Sequence, residues 1–96
     1  LTNRLSYSAT NDFVNRIRNL DNVIVVGDKT GGGGGLPFSS ELPNGWAVRF
    51  SASPMYDVEK QDTEFGIEPD VKQNLNETGN EDAIIEKAIE LLVNSL

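Results

Sequence analysis

The stretch that decides the fold runs from Asn22 to Gly35 and reads Asn-Val-Ile-Val-Val-Gly-Asp-Lys-Thr-Gly-Gly-Gly-Gly-Gly. Its first part is a short run of β-branched residues bounded by turn residues, which predicts a buried, parallel strand over 22–27. A glycine loop is predicted over 28–36, because five consecutive glycines carry a large entropic cost in regular structure. The stretch therefore places a buried strand directly before an unusual loop.

The segments on either side add two helices and a hairpin. Apolar residues at helical spacing predict an amphipathic helix over 8–20, with Ser8 at its N-cap, where a serine oxygen can accept a backbone hydrogen bond. Residues 36–53 predict a β-hairpin, since an Asn-Gly pair between two strand-like runs is a strong tight-turn signal. A second apolar stripe predicts a C-terminal helix over 80–95. This order of elements predicts the α/β class.

Composition excludes several kinds of protein. The 96 residues carry a net charge of −7, which argues against a nucleic-acid partner because phosphate binding needs clustered Lys and Arg. The chain has no cysteine and no histidine, so we expect no metal or cofactor and no histidine base within it. A chain this short buries only about 60 to 65% of its unfolded surface, so a large exposed apolar face is expected to be an interface.

Four short motifs follow one another along the chain. They are Ser-Tyr-Ser-Ala at 6–9 before the first helix, Gly-Asp-Lys-Thr-Gly-Gly at 27–32, Leu-Pro-Asn-Gly-Trp at 42–46 and Gly-Ile-Glu-Pro-Asp at 66–70. In this order and spacing the chain resembles the tail-specific (C-terminal processing) and tricorn-like serine peptidases. The resemblance covers roughly residues 3 to 70.

The resemblance implies a set of catalytic residues. It places the nucleophile at Ser8 rather than Ser6, and the N–H of Ala9 at the start of the helix is then an oxyanion-hole donor. The lysine base of the tail-specific branch falls on Gly33, so a Ser-Lys dyad is not supported. Lys29 is left either as a substitute base or as a solvated turn lysine.

The glycine-rich turn is more similar to that of the tricorn-like branch, whose tetrad adds a glutamate, a histidine and a second serine to the nucleophile. Glu64 matches this glutamate, which would orient polar groups around the nucleophile; the alternative is an exposed loop acid. The histidine and the second serine would have to come from residues before Leu1 or from another chain. Possible partners are therefore the missing N-terminal part of the same protein or a second copy.

The glycine run has three possible roles. A phosphate-binding loop is disfavoured because no Gly-Lys-Ser/Thr ending follows the run. A flexible surface loop and a loop that lines a peptide groove both remain. In the second case Gly31, Gly32 and Gly33 are the expected substrate-binding residues.

The family resemblance implies a fold and an activity. The fold is a crotonase/ClpP-like spiral of β/α units, of which residues 1–96 would be the C-terminal portion of the catalytic domain. The activity is that of a serine endopeptidase on polypeptides, and the family suggests the cell envelope or periplasm. We expect the chain to be inactive alone, because it lacks a base. Two alternatives are a non-catalytic module that binds apolar ligands or peptides and a purely structural α/β domain.

Overall fold

The computed structural model describes residues 1–74 and 83–96. Within these ranges the chain has a mixed α/β fold of two helices and four strands. The elements in chain order are α1 (Ala9–Ile17), β1 (Val26–Gly27), β2 (Leu36–Glu41), β3 (Ala47–Ser53), β4 (Val71–Lys72) and α2 (Ala83–Asn94).

Helix α1 is shorter than the predicted 8–20. It ends at Ile17, and the Leu20 N–H bonds the Ile17 carbonyl in a tighter turn. The predicted side-chain cap is also wrong, since Ser8 is the N-cap residue but makes no side-chain cap hydrogen bond. Its backbone, at φ 59° and ψ −119°, lies outside the extended region that normally aims a capping hydroxyl at the helix. The Ser8 hydroxyl is therefore not used by the helix.

Strand β1 is parallel to β4, with Val26 paired to Val71. On its other edge, Gly27 forms a parallel bridge with Thr2. The strand is shorter than the predicted 22–27 because the Val25 N–H donates to the Asp70 carboxylate at 2.8 Å instead of to a neighbouring strand. Regular pairing consequently begins only after Val25.

The apolar core is small. Val14 of α1, Val25 and Ile67 are buried together, with the partly buried Val23 packed against them. Some of the most deeply buried side chains are polar instead, and Asn11 and Thr30 have no exposed surface. Such groups require hydrogen-bond partners, so the polar interior contributes directly to the arrangement of the fold.

Strands β2 and β3 form an antiparallel hairpin within the range predicted for it. The Gly45 N–H closes the turn on the Leu42 carbonyl at 2.8 Å. Every residue of both strands is exposed, including Phe38 and Phe50, whose rings face each other at 5.7 Å. The hairpin therefore projects from the body of the domain.

Helix α2 packs its first residues, Ala83 and Ile84, into the body. Farther along, Ile89 and Leu92 are more than half exposed, and an open pocket of about 400 Å³ lies between the helix and residues 22–26. The predicted helix start at 80 lies outside the described residues. Neither described helix is long and apolar enough to span a lipid bilayer.

Candidate active site

The first eight residues lie along the segment that contains the glycine run. The Thr2 N–H donates to the Val26 carbonyl at 2.9 Å, and the Ser8 N–H donates to the Gly32 carbonyl at 2.8 Å. Between them the Gly31 N–H donates to the Ser6 carbonyl at 2.9 Å. This pairing aligns Thr2 and residues 6–8 with the 26–32 segment, while the residues between them form a turn that the Ser6 N–H closes on the Asn3 carbonyl at 2.9 Å.

Ser8 occupies the sharp turn between this paired segment and α1. It is one of two non-glycine residues with positive φ in the described part of the chain, at 59°. Such a conformation costs about 1 to 3 kcal/mol and persists only where neighbouring structure enforces it. The serine nucleophiles of many hydrolases occupy a strained strand-to-helix turn of this kind, with the hydroxyl exposed.

The backbone that follows Ser8 offers a hydrogen-bond donor. Within the described residues the Ala9 N–H has no backbone acceptor, as expected for the first residue of a helix. It lies at the positive end of α1, where the helix dipole favours negative charge. The turn thus combines an exposed hydroxyl with an adjacent unpaired donor.

A buried polar network fixes this turn against the rest of the domain. The Thr30 hydroxyl donates to Asn11 Oδ1 at 2.6 Å and accepts from the Ile67 N–H at 2.6 Å. Asn11 Nδ2 in turn donates to the Thr63 carbonyl at 3.0 Å. The network joins the first turns of α1 to the start of the glycine run and to the 63–67 segment.

Thr30→Val is expected to lower the free energy of unfolding by about 2 to 3 kcal/mol, because valine has the same shape but leaves a buried amide acceptor and a buried N–H unpaired. Chemical denaturation of the full-length protein measures the change. Thr10→Val, the same replacement at an exposed position of α1, should change stability by less than about 0.5 kcal/mol. Equal effects at both positions would show that the network does not stabilise the fold.

The glycine run is an extended segment with fixed hydrogen bonds, not a flexible loop. The Gly33 N–H donates to the Glu64 carbonyl at 2.9 Å, and the Gly35 N–H donates to Glu64 Oε2 at 2.8 Å. Gly32 and Gly34 are buried. Since alternate N–H groups are already bonded within the protein, the run is not arranged to hold a phosphate.

A side chain at position 33 would require Tyr7 to move and would have to adopt the positive φ of 74°. A Cβ on Gly33 would lie 2.6 Å from Tyr7 Cζ, so the tyrosine ring occupies the space of a side chain there. Lys29 does not compensate for the missing lysine, because its ammonium lies 3.8 Å from Glu68 Oε1 and it does not line the cleft described below. In the described part of the chain, neither a lysine at position 33 nor Lys29 is therefore available as the base.

Glu64 connects the glycine run to the hairpin. Its Oε2 accepts the Gly35 N–H at 2.8 Å, and its Oε1 accepts the Ser51 hydroxyl at 2.9 Å. The side chain is half-buried and held at both oxygens, unlike a free loop acid.

A cleft of about 410 Å³ brings several of these groups together. It lies between the Ser8 turn, the glycine run and the hairpin, and is lined by Tyr7, Ser8, Gly33, Gly35, Pro37, Arg49, Phe50 and Ser51. Glu64 lies behind this lining and reaches it through Gly35 and Ser51. Of the three glycines expected to bind substrate, only Gly33 lines the cleft, because Gly31 and Gly32 are packed against the backbone of Arg4 and Glu64.

Outside Ser8 and the glycine run, the sequence anticipated none of the residues that line the cleft, which are Tyr7, Pro37, Arg49, Phe50 and Ser51. The alternation of side chains along a strand puts residues 49 and 51 on one face of the predicted hairpin, so their shared orientation could have been inferred. The alternation of side chains does not show which of the two faces of the hairpin lies towards Ser8. In the described part of the chain no group of three or more acidic residues is placed to hold a metal ion.

Comparison with known proteins identifies the family of the chain. The model of peptidase family S41 matches residues 1–73. Among solved structures, a protein described as a "putative peptidase" from Parabacteroides merdae ATCC 43184 is 64% identical, with a TM-score of 0.86 over 95% of this chain. This chain spans 30% of the length of that protein. No curated protein matched. Because the family model covers more than half of its residues, the chain belongs to peptidase family S41, the C-terminal processing peptidases.

Proposed function

We propose that residues 1–96 are the C-terminal portion of the catalytic domain of a serine endopeptidase that cleaves polypeptides. The observation that carries the proposal is the Ser8 turn, with its exposed hydroxyl beside the unpaired Ala9 N–H in a cleft that also contains Ser51. Two findings support it: the chain belongs to a peptidase family, and it spans 30% of the length of the similar solved structure. The complete domain is proposed to be a crotonase/ClpP-like spiral of β/α units.

In the proposed reaction the Ser8 hydroxyl attacks the carbonyl carbon of the scissile peptide. The oxygen that becomes negative is stabilised by the Ala9 N–H and by the positive end of α1. The tetrahedral intermediate collapses to an acyl ester as the C–N bond breaks and the amine leaves; water then hydrolyses the ester, which regenerates the hydroxyl and releases the new carboxylate. In each half-reaction a base carries one proton, first from Ser8 to the leaving amine and then from water back to Ser8.

That base is proposed to be a histidine outside this chain, which with a second serine would complete the tetrad that the tricorn-like resemblance implies. The chain contains no histidine, and Lys29 lies outside the cleft. General-base help is worth about 10² to 10⁴ in rate, so the chain by itself is proposed to be inactive. Full-length protein is therefore the material for every assay.

Glu64 is proposed to organise the polar groups of the cleft. Its carboxylate accepts hydrogen bonds from the Gly35 N–H and from the Ser51 hydroxyl. One side chain is therefore bonded to both the glycine run and the hairpin. The substrate would lie between the Tyr7 and Gly33 wall and the hairpin. The exposed apolar part of α2 is proposed to pack against the remainder of the same protein or a second copy.

Full-length protein is expected to release peptides from an unfolded polypeptide such as reduced, alkylated casein, and Glu64→Gln should lower turnover by about 10²-fold. An amide has one acceptor oxygen, so if that oxygen keeps the Gly35 N–H, the NH₂ group faces Ser51, whose hydroxyl must then rotate and accept instead of donate; the substitution also removes the negative charge. Chromatography of the released peptides measures turnover, and thermal melting checks that the variant is folded.

The matched control is Glu59→Gln, which removes the same charge from an exposed carboxylate outside the cleft and should leave turnover unchanged. Unchanged turnover in Glu64→Gln would reduce Glu64 to a structural loop acid. A full-length protein that binds the polypeptide without cleaving it would instead support the non-catalytic binding module.

A further inference from the structure

Arg49 of β3 is an unpaired positive charge in the cleft. It lines the cleft with Ser8 and Ser51, and within the described residues its guanidinium has no ion pair. Glu64, which lies behind the same wall, already accepts a hydrogen bond at each carboxylate oxygen. Nothing in the described part of the chain neutralises Arg49, although the chain as a whole carries a charge of −7.

The position of Arg49 along the strand relates it to the reacting centre. Residues 49 and 51 project from the same face of β3 and are separated by about 6.5 Å along the strand. A peptide bound extended along β3 would have a similar rise per residue, so Arg49 would lie two substrate residues farther from the base of the hairpin than Ser51. It can therefore contact a substrate residue near the scissile bond without contacting the bond itself.

We propose that Arg49 is a specificity-determining residue that binds a carboxylate of the peptide substrate. A guanidinium forms two parallel hydrogen bonds with a carboxylate, which gives direction as well as charge attraction. The inference rests on the proposed function to the extent that the cleft must accept peptides. The carboxylate can belong to an Asp or Glu side chain or to the free C-terminus of the peptide.

Because the chain is acidic, its overall charge does not favour an acidic peptide. A net charge of −7 repels an acidic peptide at long range, so a preference for one has to come from a local group. The attraction between exposed charges is screened by salt over a distance of about 8 to 10 Å near physiological ionic strength. The preference should therefore weaken as salt is added.

The test measures binding in full-length Ser8→Ala protein, so that it does not depend on catalysis. The probes are short fluorescein-labelled peptides of alanine and leucine, with either one Glu or one Gln, and with a free or an amidated C-terminus. Fluorescence anisotropy is expected to show about tenfold tighter binding of a peptide with the preferred carboxylate than of its neutral counterpart. Adding Arg49→Gln should remove this difference, and Arg49→Lys should keep part of it.

Arg16→Gln is the matched control, because Arg16 is also exposed, has no ion pair in the described ranges and lies outside this cleft. It should leave the tenfold preference intact. A Glu-for-Gln effect identifies a side-chain carboxylate, and an effect of amidation identifies the C-terminus. Absence of both effects, absence of peptide binding, or a preference that survives Arg49→Gln would each overturn the inference.

Failure of this inference and failure of the proposed function give different results. If Ser8 is the nucleophile but Arg49 has no role, the full-length protein is active and its binding preference is unaffected by Arg49→Gln. If Arg49 binds carboxylates but the protein is not a peptidase, the preference is present and hydrolysis is absent.

Discussion

Ser8→Ala is expected to lower hydrolysis of an unfolded polypeptide by the full-length protein by at least about 10³-fold, because it removes the nucleophilic oxygen. The stability of the protein should hardly change. The Ser8 hydroxyl makes no capping bond, and alanine can be held at the same φ by the bond between the residue 8 N–H and the Gly32 carbonyl. Initial rates of peptide release, together with thermal melting curves, separate the loss of chemistry from a loss of folding.

Ser6→Ala is the matched control for this prediction. The Ser6 hydroxyl accepts the Asn3 N–H at 3.2 Å and does not line the cleft, so the variant should retain most of the activity. A fluorophosphonate probe should form its adduct on Ser8, located by mass spectrometry of the tryptic peptides. Activity that survives Ser8→Ala, or disappears with Ser6→Ala, would show that the nucleophile has been assigned to the wrong residue.

Gly32→Ala is expected to destabilise the full-length protein by about 4 kcal/mol, an effect at the upper end for one substitution. A Cβ at this position would lie 2.1 Å from the Glu64 carbonyl oxygen, so two backbone segments would have to separate. The residue also has φ +81°, which is unfavourable for alanine. Chemical denaturation measures the loss, and low soluble yield would be its first sign.

Gly45→Ala separates the two causes. Gly45 has nearly the same φ, +85°, but the nearest atom to its Cβ position is a Glu41 side-chain oxygen at 3.9 Å. This variant carries the conformational cost alone, about 1 kcal/mol. If Gly32→Ala were no worse than Gly45→Ala, the close approach of the glycine run to Glu64 would be refuted.

Local patterns were sufficient to predict the hairpin and the mixed α/β class, because an Asn-Gly turn and helical periodicity are properties of short segments. They were not sufficient for Ser8. A serine before a helix is favoured as a cap, yet here the pairing of the preceding residues with the glycine run imposes a different backbone conformation. That constraint comes from residues more than twenty positions away.

The conformation of the glycine run also depends on distant residues that the local sequence does not reveal. Its composition indicated high entropic cost in regular structure, whereas the backbone at Arg4 and at residues 63–66 packs so closely against Gly31 and Gly32 that side chains are excluded there. The short β1 has a comparable origin, since the Asp70 carboxylate takes the Val25 N–H that a longer strand would use. In both cases a distant partner outweighs the local preference of the sequence.

The two walls of the cleft differ in their mechanical support. The Ser8 wall is held by a buried hydrogen-bond network, whereas the hairpin projects into solvent and is tied to Glu64 near its base through Ser51. A rotation about that tie moves each strand residue in proportion to its distance from the base. We therefore expect the width of the cleft to be set more firmly at Ser51 than at Arg49, and side chains of different length to be accommodated there without a change in the serine turn.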